Sequence, residues 1–213
     1  MATATATKRK LVLKMSISLD GFVAGPNGEG DWMLRSRGDD SREWVGDTLR
    51  GAGVHIMGSR TYCSMAAFWP YSDSPLASAM NDIPKVIFAR NGIKDGPQAN
   101  VDTGAVGVRP GLTPTAAVLK SWSEPAVARG DLAEEILRLK EQPGDYILAQ
   151  GGVRFAQSLA ASGLIDEYRM VIHPIALGQG QSLFSAVRSS VDLRLISTTP
   201  FSSGVVAAVY HPA

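Results

Sequence analysis

Apolar residues come in short bursts separated by glycine, proline and acidic turns, and their period changes along the chain. Lys10 to Leu19 (KLVLKMSISL) is a dense, partly β-branched run stopped by Asp20-Gly21, which predicts a strand and then a turn. Residues 40–52 place Trp44, Val45, Thr48 and Leu49 on one face at helical spacing. Val54 to Met57 predicts a short buried strand closed by Gly58. Ser59 to Ala67 then predicts a helix ended by Phe68-Trp69-Pro70. Pro84 to Ala89 predicts a strand with proline first, where a missing N–H costs least. Asn91 to Thr115 is rich in Gly, Pro, Asn and Asp and reads as an irregular connection, and Val118 to Trp122 as a short strand. DLAEEILRLKEQPG from Asp131 predicts a helix with Asp131 as N-cap, Glu134 three residues on and Gly144 beyond its end. Tyr146 to Ala149 reads as a strand running into Gly151-Gly152, and Gly152 to Ser162 as a helix closed by Gly163. Glu167 to Ile175, Leu193 to Thr199 and Gly204 to Tyr210 read as strands.

Strands alternating with helices as far as residue 162 predict an α/β domain with a mostly parallel central sheet flanked by helices. The helix-free strands that follow predict antiparallel members at its end. One domain over 10–211 is expected, preceded by a disordered tail at 1–9 and carrying an insertion at about 92–117. The opening MATATATK has no apolar period, which favours a frayed tail, while its lack of acidic residues leaves a transit segment open.

Composition narrows the function classes. The chain has 213 residues, with 21 basic and 20 acidic side chains and a net charge of +1. This balance argues against a nucleic-acid coat, which needs clustered Lys and Arg. No apolar run reaches the roughly 18–20 residues of a membrane span, so a soluble, cytoplasmic protein is expected. Cys63 is the only cysteine, which excludes an internal disulfide or a thiolate zinc site. No metal centre is expected, because His55 and His173 sit within strands, where packing or hydrogen bonding is their expected role. His211 reads as solvated.

Two places join a strand end, glycine and a helix start: Ile56-Met57-Gly58-Ser59-Arg60-Thr61 and Ala149-Gln150-Gly151-Gly152-Val153-Arg154. Free N–H groups at such a junction, with an arginine beside them, can hold phosphate, although turn geometry alone also explains the glycines. There is no G-x-G-x-x-G fingerprint, no P-loop and no G-x-S-x-G elbow. Asp20 and Asp40 are the candidate proton-handling carboxylates. Each has a structural alternative, as turn former and helix cap respectively. Glu43 and Trp44 on the first helix, and Trp32 in the glycine-rich loop, are candidates to meet a substrate ring. Trp32 alternatively anchors its loop.

Together these pieces resemble the dihydrofolate reductase superfamily, most closely the branch around the C-terminal reductase domain of bacterial riboflavin biosynthesis enzymes. The residues that carry the likeness are Ser18 to Ala24, Met57 to Tyr62, Pro84 to Phe88, Gly151-Gly152, Gly163 to Glu167 and His173 to Gly180. The resemblance implies NADPH along the carboxyl edge of the sheet. Gly58, Ser59, Arg60 and Thr61 would hold phosphates, and Ala89 and Arg90 would flank the adenosine, with Arg90 on the 2′-phosphate. Gln150, Gly151, Gly152, Val153, Arg154 and Phe155 would take the pyrophosphate and nicotinamide side, and Ser16, Val23 and Ala24 the carboxamide. In folate reductases an acid on the first helix anchors the pterin, and here Asp40 or Glu43 takes about that place.

The likeness further implies a cis Gly151–Gly152 bond and a homodimer paired through late strands, with Glu167 to Ile175 apolar enough for that role. The activity it implies is hydride transfer from NADPH to a small heterocycle, a ribosylamino-pyrimidine or a pterin. A nucleotide-binding module without turnover is the alternative. A phosphate-ligand hydrolase or transferase lacks a nucleophile motif.

Overall fold

The first apolar run becomes β1 (Leu11–Ser18), at the middle of an eight-stranded sheet. Leu11, Val12 and Leu13 are all buried, since a central parallel strand is covered on both faces and needs apolar side chains at odd and even positions alike. This computed structural model describes residues 8–36, 38–93 and 111–213. The rest of the chain adds β2 (Phe22–Ala24), α1 (Asp39–Arg50), β3 (Val54–Gly58), α2 (Ser59–Phe68), α3 (Ala77–Asp82), β4 (Lys85–Phe88), α4 (Ala116–Ser123) and β5 (Ala126–Ala128). There follow α5 (Leu132–Lys140), β6 (Ile147–Ala149), α6 (Val153–Ser162), β7 (Glu167–His173), β8 (Gln181–Ser182), β9 (Leu193–Pro200) and β10 (Val206–Pro212).

The strand order is β5-β4-β3-β6-β1-β7-β10-β9. All neighbours from β5 to β7 pair in parallel, and β10 runs against both β7 and β9. The expected mostly parallel sheet with antiparallel members at its end is what forms. On one face Leu11, Leu13, Ile56 and Ile147 pack with Ile136 of α5 and Leu159 of α6. On the other, Val12, Met57 and Leu148 pack with Leu49 of α1, Tyr62 of α2, Met80 of α3 and Trp122 of α4.

Local chemistry explains the element ends. Asp131 caps α5, its Oδ1 accepting from the Ala133 N–H at 2.8 Å and the Glu134 N–H at 3.3 Å. Gly163 closes α6 with a φ of +68°, a conformation that glycine adopts without a Cβ clash.

Several expectations are corrected. Val118 to Trp122 is helical, not extended: Thr115 caps α4 by accepting from the Val118 N–H, and Trp122 turns into the core. This helix begins inside the expected insertion. Of the expected tail at 1–9, residues 1–7 lie outside the described residues, as do 94–110, while Arg9 is buried and its backbone N–H donates to the Lys140 carbonyl at 2.8 Å. β7 stops at His173 because Pro174 offers no N–H, and it lies between β1 and β10. Its apolar side chains therefore belong to the core and not to the edge of the sheet, where β9 lies. His211 is not solvated but lies 3.1 Å from Glu167 through Nε2.

At the amino end of β4, Lys85 is only 4% exposed. Its Nζ donates to the carbonyls of Asn81 (3.0 Å) and Ile83 (2.9 Å) and sits 4.5 Å from the centre of the Trp122 ring. Burial pushes the ammonium pKa down to about 8. The neighbouring His55 is completely buried, and that burial pushes its pKa down to about 4, so the imidazole is neutral.

Candidate active site

The carboxyl ends of β3 and β6 lie side by side, because β6 returns between β3 and β1 after the chain has built outward to β5. In an open α/β sheet such a reversal is where ligands bind. Both strands run directly into helices, α2 after Gly58 and α6 after Gly152, and neither N-cap glycine offers a side chain to the first turn. Two sets of helix N–H donors thus open over one stretch of sheet edge without an internal acceptor.

Gly151 and Gly152 are sterically required there. The Gly151–Gly152 peptide is cis, as expected, and Gly151 has a φ of +89°. A Cβ on Gly152 would lie 2.7 Å from Thr61 Oγ1, and one on Gly58 would touch Phe155 at 3.4 Å. The Gly58 N–H donates to the Gly151 carbonyl at 3.2 Å, tying the two junctions together. Arg60 and Arg154 are exposed on the first turns of the two helices, with Ser59 and Val153 half-buried beside them. Phe155 stacks against Phe88 with ring centres 5.0 Å apart, forming floor rather than rim. Ala89 is buried and Arg90 exposed just past β4. Arg129 is exposed immediately past β5. Arg129 escaped the sequence reading because a three-residue strand carries no measurable period.

Beside this cradle, between the sheet and α1, is a cavity of about 290 Å³. Gln150, the residue before the cis bond, lines it, so cradle and cavity are continuous. Ser16 and Val23 line it as well, while Ala24 is buried on β2. Met33, Met65 and Leu76 supply an apolar wall. The basic lining is Lys14, Arg42 and His173, with no carboxylate among the described residues. These basic residues come from β1, α1 and the end of β7, and the sequence reading assigned no ligand role to any of them. Arg42 is braced at 2.8 Å by the exposed Asp39.

The structure turns the expected carboxylates away from this space. Asp20 Oδ1 accepts from Ser18 Oγ (2.6 Å) and the Leu177 N–H (3.1 Å), and Oδ2 from the Gly178 N–H (2.7 Å). The Ser18 hydroxyl, then the two amides, hold this carboxyl below the usual range, as suits a clasp between two turns. Asp40 accepts from the Ser202 N–H and the Ser41 N–H, both at 2.8 Å. Hydrogen bonds from Ser202, led by its amide, likewise lower the Asp40 pKa. Asp40 pins the start of α1 to the β9–β10 turn, and its neighbour Ser41 is the residue that faces the cavity. Glu43 is exposed and Trp44 half-buried, and neither lines the cavity. Trp32 is a loop anchor: it is buried, its Nε1 donates to the Glu29 carbonyl at 3.1 Å, and its ring meets His173 edge-on at 5.3 Å.

Residues 9–207 match the RibD C-terminal domain family. The chain belongs to that family. Among relatives, YyaP of Bacillus subtilis (strain 168) is 28% identical over 209 residues, covering 96% of this chain and 95% of its own. The bifunctional diaminohydroxyphosphoribosylaminopyrimidine deaminase/5-amino-6-(5-phosphoribosylamino)uracil reductase of Thermotoga maritima superposes with a TM-score of 0.66 at 20% identity, over 97% of this chain and 57% of that one. Dihydrofolate reductase of Enterococcus faecalis, complexed with NADP(H), superposes at 0.57 with 12% identity, over 97% and 98%. The fold is therefore of the dihydrofolate reductase type, and membership of the RibD C-terminal domain family supports a reductase-type oxidoreductase. Among the described residues no helix is long and apolar enough to cross a membrane.

Proposed function

We propose that this protein uses NADPH to reduce a small, anionic heterocycle of the ribosylamino-pyrimidine type. The observation that carries the cofactor reading is the pair of uncapped helix starts on adjacent strand ends, with a glycine between them that has no room for a Cβ. That cradle fits a pyrophosphate, and Arg60, Arg154, Arg90 and Arg129 form a basic rim along the carboxyl edge for phosphate oxygens. Ser16, Val23 and Gln150 lie where the cradle opens into the cavity and would meet the nicotinamide. When bound, a reduced nicotinamide supplies a hydride, which leaves the substrate heteroatom one proton short.

The cavity wall favours the ribosylamino-pyrimidine over the pterin. A pterin ring wants a carboxylate on the first helix, whereas α1 presents Ser41 and Arg42 to the cavity. Lys14 and Arg42 on that wall favour a phosphate-bearing substrate. Quenching of tryptophan fluorescence by NADPH tests the cofactor. NADPH oxidation with 5-amino-6-(5-phosphoribosylamino)uracil against dihydrofolate tests the substrate. No quenching at millimolar NADPH, or a preference for dihydrofolate, overturns the respective part.

We infer in addition that two copies associate along β9. This edge strand exposes Leu195 (52%) and Ile196 (46%) where its pairing with β10 is irregular, and Val191 and Phe184 are further exposed apolar residues. An exposed apolar edge strand is a standing invitation to pair, and a second copy of the same edge is the partner always at hand.

A further inference from the structure

Resting on that reductase reading, we propose that Asp40 is a positioning residue for the substrate: by clasping the β9–β10 turn it fixes the start of α1, a wall of the cavity. The cavity takes Ser41, Arg42 and Val45 from this helix, and the first two follow Asp40 directly. The carboxylate uses both oxygens, Oδ1 for the Ser41 N–H and Oδ2 for the Ser202 N–H, each at 2.8 Å. One bond organises the first turn of the helix. The other ties that turn to a loop 162 positions away in sequence.

The second bond is not needed to cap the helix. Gly38, the N-cap, already exchanges hydrogen bonds with the Ser41 hydroxyl, its N–H donating to Oγ at 3.1 Å and its carbonyl accepting at 2.9 Å. What the Ser202 bond adds is a fixed place for that first turn against the rest of the sheet edge. The surroundings leave it little slack. Phe201 to Gly204 is a tight turn, closed by the Phe201 N–H on the Val205 carbonyl at 2.8 Å and the Gly204 N–H on the Phe201 carbonyl at 3.0 Å. It is wedged between α1 and the end of β7: a Cβ on Gly38 would lie 3.3 Å from Ser203 Oγ, and one on Gly204 3.5 Å from the Pro174 ring. Asp39 and Asp40 are exposed and Arg42 is half-buried, so polar clasps and not core packing locate this part of the wall.

The other end of α1 is anchored separately. The Tyr146 hydroxyl donates to the Thr48 carbonyl at 2.6 Å, Arg169 Nη1 donates to Thr48 Oγ1 at 3.3 Å, and Leu49 packs in the core. With that end held, opening the Asp40 clasp loosens the first turn alone, and with it the two residues a substrate would meet. The cofactor cradle is built from the starts of α2 and α6 and takes nothing from α1. Loss of the clasp therefore separates substrate from cofactor.

The test uses the full chain as Asp40→Asn and Gly38→Ala. Asparagine keeps the shape of the side chain but brings one oxygen to two N–H donors, so one of the bonds is lost. Gly38→Ala presses on the clasp from the other side, its Cβ meeting Asp40 Oδ1 at 2.7 Å, while the Gly38 φ of −106° suits alanine. Faster amide exchange at Ser202 reports that the clasp has opened. Both variants should bind NADPH within twofold of the parent by fluorescence. Both should lose roughly ten- to hundredfold in kcat/KM with 5-amino-6-(5-phosphoribosylamino)uracil, mainly through KM, and bind ribose 5-phosphate correspondingly more weakly by calorimetry. Either variant carries the test if the other does not fold, and failure of both to fold makes Asp40 merely structural. Unchanged Ser202 exchange, unchanged substrate constants with the clasp open, or substrate and NADPH affinities that fall together overturn the proposal and leave the reductase reading standing. A parent protein that neither reduces the uracil nor binds ribose 5-phosphate overturns it together with the substrate reading. No NADPH quenching in the parent overturns the reductase reading alone if Asp40→Asn still weakens ribose 5-phosphate.

Discussion

Replacing Lys85 by methionine asks how the sheet tolerates a charge at its amino end. In the folded protein burial holds this ammonium at a pKa of about 8, against 10.5 for the ordinary lysine of an unfolded chain. That difference corresponds to about 3 kcal/mol of discrimination against the charged form. Below the folded value both states keep the proton, so the folded protein bears the full cost. Between the two values the folded protein has released its proton and the unfolded chain has not. Folding stability therefore rises with pH across this window, because the unfolded state binds more protons. Raising the pH from about 7 to about 9.5 should stabilise the parent by roughly 2 kcal/mol relative to Lys85→Met, which has no proton to release. Urea unfolding of both proteins at both pH values measures the difference, and the titrations they share cancel. The methionine variant also gives up two carbonyl hydrogen bonds and the Trp122 contact, a loss that applies at either pH. Parallel pH dependence of the two proteins would show that the charge is not held in a desolvated site, and the reasoning would fail.

Three further outcomes are expected. Arg60→Ala should weaken NADPH binding by about 1.5–3 kcal/mol, the scale of a charged hydrogen bond, and unchanged affinity with lowered stability would make Arg60 structural. Gly152→Ala drives a Cβ to 2.7 Å from Thr61 Oγ1 and should abolish NADPH quenching while circular dichroism stays native; loss of the fold instead would make the glycine a purely structural turn. Leu195→Lys on β9 should convert a dimer to a monomer by light scattering, and a parent that already elutes as a monomer removes the proposed interface.

The sequence shows its long elements plainly and its short ones hardly at all. β1 and α6 carry eight and ten residues, enough for a period to stand out. β2, β5 and β8 have only two or three, and register across a neighbouring strand, not their own pattern, makes them extended. Val118, Leu119 and Trp122 fit a helical face as well as a short apolar strand, and the Thr115 cap decides for the helix.

The glycine cradle was legible because its parts are contiguous in sequence and glycine is a strong local marker. The cavity was not. Lys14, Arg42 and His173 meet only because β1 lies beside β7 with α1 across its carboxyl half, a pairing between residues more than a hundred positions apart. Asp40 and Ser41 show the limit from another side. Each step along a helix turns the side chain by about 100°, so one residue of register exchanges a cavity-facing group for one bound to a distant turn.

The central place of β1 also has a consequence for biosynthesis. Its sheet partners are β6 and β7, and the first pair joins Leu11 to Ile147. At the usual 5–20 residues/s, about 7–27 s separate the synthesis of these two residues. Over that interval β3, β4 and β5 have each other, while β1 and the open side of β3 have no strand to pair with. A nascent chain arrested before Ile147 thus carries three unsatisfied strand edges from the very middle of the finished sheet, two on β1 and one on β3, and should be bound by chaperones or degraded rather than persist as a partial domain.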